Sequence, residues 1–157
     1  MLTAGFDVKP AILAIFAVTY LGIAMGRVPG LKATYWEGLF TKQCGAERAE
    51  QIDWDGPRAG KTQFFSCRYV GFLVVPESGE YEIALASEQA AKLSLDARPV
   101  IDHSRAHNMT ERSVKVTLTA GPHPLQIEMS NSLGRGGLHL RGTDRRRIPA
   151  QFHWVSW

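Results

Sequence analysis

The chain has 157 residues, 45% of them hydrophobic, which is room for one packed domain and a tail. A formal net charge of +3, with no basic face interleaved with aromatics, argues against nucleic acid as a partner. Two cysteines are too few for a disulfide-built scaffold and fit no metal-ligand spacing, so no metal site is expected.

Residues 10–26 carry no charged side chain. As a helix, these 17 residues rise about 25 Å, slightly short of a hydrocarbon core of about 30 Å. Lys9 and Arg27 bracket the segment and can snorkel, which extends the span to Val8–Val28. Pro10 suits a first helical turn, and Pro29-Gly30 ends the helix. The start, Leu2 to Asp7, lacks the basic residues of a cleaved signal peptide. A wholly apolar stretch also lacks the polar face of a surface helix. The expectation is an uncleaved single-pass transmembrane anchor over residues 1–30, followed by one domain over residues 31–157. Gly22 and Gly26 are spaced to let a second helix approach closely in lipid, with Ala14 and Val18 on the same stripe, so these four form the expected helix-packing face. Arg27 and Lys32 follow the segment and favour a cytoplasmic domain by charge, whereas the character of the domain favours the other side. The expected setting is a bacterial inner membrane with the domain extracytoplasmic, in the periplasm.

From Leu31 onward, short runs with period-two alternation replace helical periodicity. Phe64–Val75 reads as one long strand closed by Pro76-Glu77-Ser78-Gly79. Tyr81–Ser87 and Lys92–Leu95 read as a hairpin pair. Val114–Leu118 runs into the turn Thr119-Ala120-Gly121-Pro122, after which Leu125–Met129 returns. Leu138–Arg141 and Phe152–Trp154 complete the set. Short strands at such spacing predict an all-β fold, an antiparallel β-sandwich.

Cys44 and Cys67 could pair in an oxidising compartment, where closing a loop of that length would stabilise by roughly 3 kcal/mol. Alternation points Cys67 inward with Phe65 and Tyr69, so a buried free thiol stays open as the alternative.

Gly30 to Gly38, Phe65-Ser66-Cys67-Arg68-Tyr69-Val70-Gly71-Phe72, Ser78-Gly79-Glu80-Tyr81-Glu82-Ile83, Leu93-Ser94-Leu95-Asp96 with Val100-Ile101-Asp102, and Leu118-Thr119-Ala120-Gly121-Pro122-His123-Pro124-Leu125 follow one another in a recurrent order. The domain, from Leu31 to Trp154, thereby resembles the PA-fourteen family, the β-sandwich module named after the anthrax protective antigen. The resemblance implies a protective-antigen-type sandwich. It also implies where to look for a ligand, because glycan-binding members carry Ser-Asp-Asp-Gly before the Leu93 strand, with two aspartates that hold a sugar-coordinating calcium ion. Here that segment is Ser87-Glu88-Gln89-Ala90. Calcium prefers several hard oxygens, and Gln89 removes one charge while Glu88 reaches further than Asp. A calcium cofactor is therefore disfavoured and no cofactor is expected. Glu88, Gln89, Asp96 and Asp102 remain the candidate ligand-binding residues, together with the loops 103–110 and 131–137. Asp96 and Asp102 serve equally well as turn-capping residues.

Several motifs point nowhere. Gly56 to Thr62 is one residue short of a phosphate loop and leads into a strand rather than a helix. His103 and His107 lack the surroundings of a zinc motif, and Arg145-Arg146-Arg147 reads as a solvated loop. No Ser or Cys has an evident base beside it, so no enzyme activity is expected. Two functions stay open. One is a non-catalytic accessory subunit of a larger membrane complex, which docks by its helix on other membrane-protein subunits and bridges neighbours with the sandwich. The other is a membrane-anchored carbohydrate-binding module that takes glycans.

Overall fold

The computed structural model of the chain describes residues 28–58, 60, 63–105, 108–133, 135–142 and 153–154. The transmembrane anchor expected over residues 1–30, with Ala14, Val18, Gly22 and Gly26, lies almost wholly outside them. Among the described residues, no helix is long and apolar enough to cross a membrane.

The described residues form twelve strands. They are β1 (Val28–Pro29), β2 (Leu31–Glu37), β3 (Lys42–Ala49), β4 (Asp53–Asp55), β5 (Phe65–Val75) and β6 (Gly79–Glu88). Then follow β7 (Ala90–Leu95), β8 (Arg98–His103), β9 (Thr110–Leu118), β10 (Gly121–Asn131), β11 (Gly137–Arg141) and β12 (His153–Trp154). The larger sheet runs β3-β2-β5-β10-β7-β8, with β12 continuing along β5 beyond β2 and β1 beside β12. The smaller sheet runs β4-β11-β6-β9. Every pairing among them is antiparallel, as the alternation predicts.

Alternation places the core between the two sheets. Phe65, Cys67, Tyr69, Leu73 and Val75 of β5 and Leu125, Ile127 and Met129 of β10 face Ile83 and Leu85 of β6 and Leu138 and Leu140 of β11. Each fully buried Leu, Ile or Phe contributes about 1.5–3 kcal/mol relative to exposure. Trp54 of β4 reaches across the layers to lie 6.2 Å from the Phe65 ring, centre to centre.

One polar chain crosses this core. The Trp54 indole Nε1 donates to the Tyr69 hydroxyl at 3.0 Å, that hydroxyl lies 3.4 Å from the hydroxyl of Tyr35, and Tyr35 donates to Glu47 Oε1 at 2.6 Å. Burial, with Glu47 and Cys67 beside it, raises Tyr35 above its ordinary value.

One expectation is corrected, and of the two alternatives for the cysteines the free thiols are the one present. Tyr81–Ser87 and Lys92–Leu95 do not pair as a hairpin, since β6 bonds to β9 and β11 while β7 bonds to β10 and β8. A single residue, Gln89, separates β6 from β7, fewer than the two that a tight hairpin needs, so the chain crosses to the other sheet instead. The Cys44–Cys67 disulfide is not formed: both thiols are free, Cys44 exposed and Cys67 buried. The strand β2 lies between their strands, with Tyr35 opposite both Cys67 and Gly45. Two strand spacings come to about 9.5 Å, beyond the roughly 7 Å that a disulfide spans between Cα atoms.

Candidate ligand-binding end of the sandwich

The register places the loop after β2 (38–41), the segment before β5, the Gln89 crossing, the β8–β9 loop (104–109) and the β10–β11 loop (132–136) at one end of the sandwich. Glu37 pairs with Phe65, Asn131 with Phe65, Ser130 with Ala90, and Thr110 with Ser87. Four of the exposed large apolar side chains, Leu39, Phe64, Met109 and Leu133, stand on these loops. Scattered exposed hydrophobics are ordinary, but a shared end is what a binding surface presents.

The loops are held from beneath. Ser66 is fully buried; its Oγ donates to the Gly38 carbonyl and accepts from the Phe40 amide, both at 2.8 Å. The Gly38 amide donates to the carbonyl of Phe64 at 2.7 Å. Phe40 and Phe64 have φ of 56° and 53°, a left-handed backbone that bulky residues adopt only when their surroundings impose it. Gly136 lies so close to Asn131 and Phe65 that a β-carbon there would stand 2.9 Å from Asn131 Nδ2. Its carbonyl accepts from the Gly56 amide at 2.9 Å, which ties the two loops together.

At the Gln89 crossing, Ser87 Oγ donates to the Gln89 carbonyl at 3.1 Å. Gln89 has φ of 81°, and its Oε1 is buried with no hydrogen-bond partner among the described residues. Glu88 and Asp55 flank Gly137 from either side, and a β-carbon on Gly137 would come within 2.6 Å of Asp55 Oδ1. Just beyond, His139 Nδ1 lies 2.6 Å from Asp53 Oδ1 and its Nε2 lies 3.1 Å from Asp55 Oδ1. Both ring nitrogens are thus engaged by carboxylates. Among the described residues, no three His, Cys, Asp or Glu side chains are arranged to hold a metal ion.

The structure separates the four expected ligand residues. Glu88 and Gln89 are at the loop end. Asp96 is at the opposite end of β7, six residues long and so roughly 20 Å away. There its carboxylate lies 2.8 Å from His123 Nδ1, and its amide donates to the carbonyl of Pro124 at 2.9 Å. It caps a turn and joins no site with Glu88. Asp102 belongs to a row of charges across the outer face of the larger sheet. Arg68 donates to Glu128 from both Nε (2.8 Å) and Nη2 (2.7 Å), and Lys92 Nζ lies 3.0 Å from Asp102 Oδ2. Register places Arg68 opposite Glu128, Glu128 opposite Lys92, and Lys92 opposite Asp102. The Lys92 ammonium, with help from Ser104, holds the Asp102 carboxyl below its ordinary value. Arg68 also stacks over Trp36 (5.4 Å) and Phe40 (5.3 Å), which links the row to the loop end. His107 lies outside the described residues.

Comparison with known proteins agrees with this architecture. The PA14 domain family matches residues 27–147. An anti-sigma factor domain-containing protein from Clostridium clariflavum superposes with a TM-score of 0.69 at 23% identity, over 83% of this chain and 49% of that one. The PA14 sugar-binding domain from an RTX adhesin superposes at 0.62 and 16% identity, over 73% of this chain and 89% of that one. The epithelial adhesin 9 A domain from Candida glabrata, in complex with Galb1-4GlcNAc, superposes at 0.68 and 9% identity, over 84% and 92%. At these identities the likeness is one of fold. The chain spans about half the length of the anti-sigma factor structures it matches. A search of curated proteins finds no match.

Proposed function

The chain belongs to the PA14 domain family, and on that premise we propose that it is a non-catalytic recognition module whose ligand is a glycan, bound at the loop end without calcium. The carrying observation is that the exposed apolar residues Leu39, Phe64, Met109 and Leu133 share one end of the sandwich with the Glu88–Gln89 crossing. Apolar side chains beside fixed backbone polar groups suit the mixed surface of a sugar. Gln89 supplies an amide where calcium would need a carboxylate, which supports binding by hydrogen bonds and apolar contact alone. The fold likeness to two domains whose names record sugar binding supports the same reading. A glycan array probed with the full chain in mild detergent tests it. Binding to a discrete set of glycans should persist in EDTA and fall on Leu133→Ser or Phe64→Ser. No binding with or without calcium would remove the reading.

A second reading, a single-pass accessory subunit of a membrane complex with its sandwich extracytoplasmic, is supported by uncharged residues 10–26 and the stripe Ala14, Val18, Gly22 and Gly26. Mild-detergent extraction should then give a complex of discrete size that Gly22→Ile with Gly26→Ile weakens. A lone monomer under the same conditions argues against it.

A further inference from the structure

The two sheets leave their edge strands β8 and β9 facing each other across an open side of the sandwich. In β9, register with β6 puts Arg112 opposite Leu85, whose side chain is buried between the sheets. Arg112 therefore follows Thr110 in the row Thr110, Arg112, Val114, Val116 and Leu118, and stays exposed near the open end of that row. Its Nη1 donates to the Asp102 carbonyl at 2.8 Å, which holds the guanidinium beside the end of β8. A cleft of about 250 Å³ opens there, lined by Asp102, His103, Ser104, Arg105 and Arg112. Its one carboxylate, on Asp102, is already matched by Lys92 at 3.0 Å. With Ser104 already hydrogen-bonded to Asp102, two guanidinium groups remain as donors without a second carboxylate in the lining. Guanidinium groups bind oxyanions through paired, charge-assisted hydrogen bonds.

We propose that this cleft between β8 and β9 binds a small oxyanion, a carboxylate, sulfate or phosphate group on a ligand no larger than a single sugar. The cleft adjoins the loop end through the β8–β9 loop, but its lining includes neither Glu88 nor Gln89, and the proposal does not depend on the glycan reading. A free inorganic anion and an acidic sugar would both supply the group.

Isothermal titration of the full chain in zwitterionic detergent at low salt, with sulfate, glucuronate and glucose as probes, tests the proposal. Sulfate and glucuronate should saturate in the low-millimolar range while glucose does not. Saturation by glucuronate alone assigns the site to an acidic sugar. Arg105→Gln and Arg112→Gln should each weaken binding about tenfold, while Asp102→Asn should tighten it severalfold by removing the competing carboxylate. Arg105 is on an exposed loop, so its variant should keep the thermal unfolding of the parent and still report if Arg112→Gln folds poorly. If Arg112 only keeps the edge strand from pairing with another chain, none of the variants moves the affinity. That result, equal binding of glucose, or no saturation by either anion overturns the proposal.

Discussion

His123 and Asp96 clamp the β7–β8 turn to the start of β10. The imidazole Nδ1 lies 2.8 Å from the Asp96 carboxylate and its Nε2 lies 2.9 Å from the Thr119 carbonyl. Two acceptors, one at each nitrogen, are both satisfied only when the ring is doubly protonated. Burial by itself lowers the imidazole, but the Thr119 carbonyl and the Asp96 carboxylate outweigh it and hold the group above its usual 6.5.

The pH dependence follows from that sign. A folded value above the unfolded one means that protonation favours folding. The contribution is full below about pH 6.5 and fades as pH rises through the folded value. Asp96 is nearly half exposed, so the pair should be worth only about 1 kcal/mol after screening. Thermal unfolding of the parent and of His123→Gln, compared at pH 5.5 and pH 9, should show the gap between them narrowing at high pH. A gap independent of pH would show that the ring acts by packing alone.

Ala97 gives a gain in stability to be recovered. Asp96 and Ala97 have φ of 51° and 60°, the geometry of a two-residue turn with both central residues left-handed. Asp tolerates that region, whereas Ala does so at about 1–2 kcal/mol. Ala97→Gly should relieve this strain, offset in part by glycine's greater freedom when unfolded, for a net gain of about 1 kcal/mol. Calorimetry should record a melting temperature roughly 3 °C higher. No rise would mean that the strain is carried elsewhere.

Legibility in the sequence followed burial. Phe65 to Val75 alternates cleanly because one face of β5 is entirely core, and Pro76 to Gly79 marks its end. The strand β3, Lys-Gln-Cys-Gly-Ala-Glu-Arg-Ala, leaves no such trace: it is an edge strand without a buried face, held by backbone bonds to β2. The three-residue β4 is too short to show a period. Sheet assignment was also hidden, since β6 and β7 have inward faces of the same kind whether they pair or cross. The family resemblance singled out Glu88, Gln89 and Asp96 together, but the extended β7 carries Asp96 to the opposite end from Glu88 and Gln89. Arg112 did leave a signal, a charge that follows Thr110 and precedes the apolar Val114, Val116 and Leu118 in one alternating row.

Tyr69 joins the two sheets through its hydroxyl, and its removal should be felt in both. In Tyr69→Phe the Trp54 Nε1–H, buried beneath β5, loses its acceptor at 3.0 Å, and the Tyr35 hydroxyl loses its inner neighbour. An orphaned buried donor costs about 1–3 kcal/mol, so denaturant unfolding should show a loss near 2 kcal/mol with little change in slope. Tyr35→Phe should cost less, because Glu47 is exposed and can turn to water. Equal losses for the two variants would mean that the chain is not graded from core to surface as the geometry requires.

The two thiols should differ sharply in reactivity. Cys67 is fully enclosed, and burial pushes it up to about 12, with the nearby Arg58 and a hydrogen bond with Tyr69 lowering it only in part. At pH 8 roughly one Cys67 in ten thousand would be thiolate even before access is considered. Cys44 is exposed on the edge strand β3, at the point where the register with β2 slips by one residue. Iodoacetamide at pH 8, followed by mass spectrometry of the folded chain, should therefore modify Cys44 alone, and both cysteines should react once the chain is unfolded in denaturant without reductant. Protection of both in that unfolded, unreduced state would require a bond between them, and with it a different placement of β3 relative to β5.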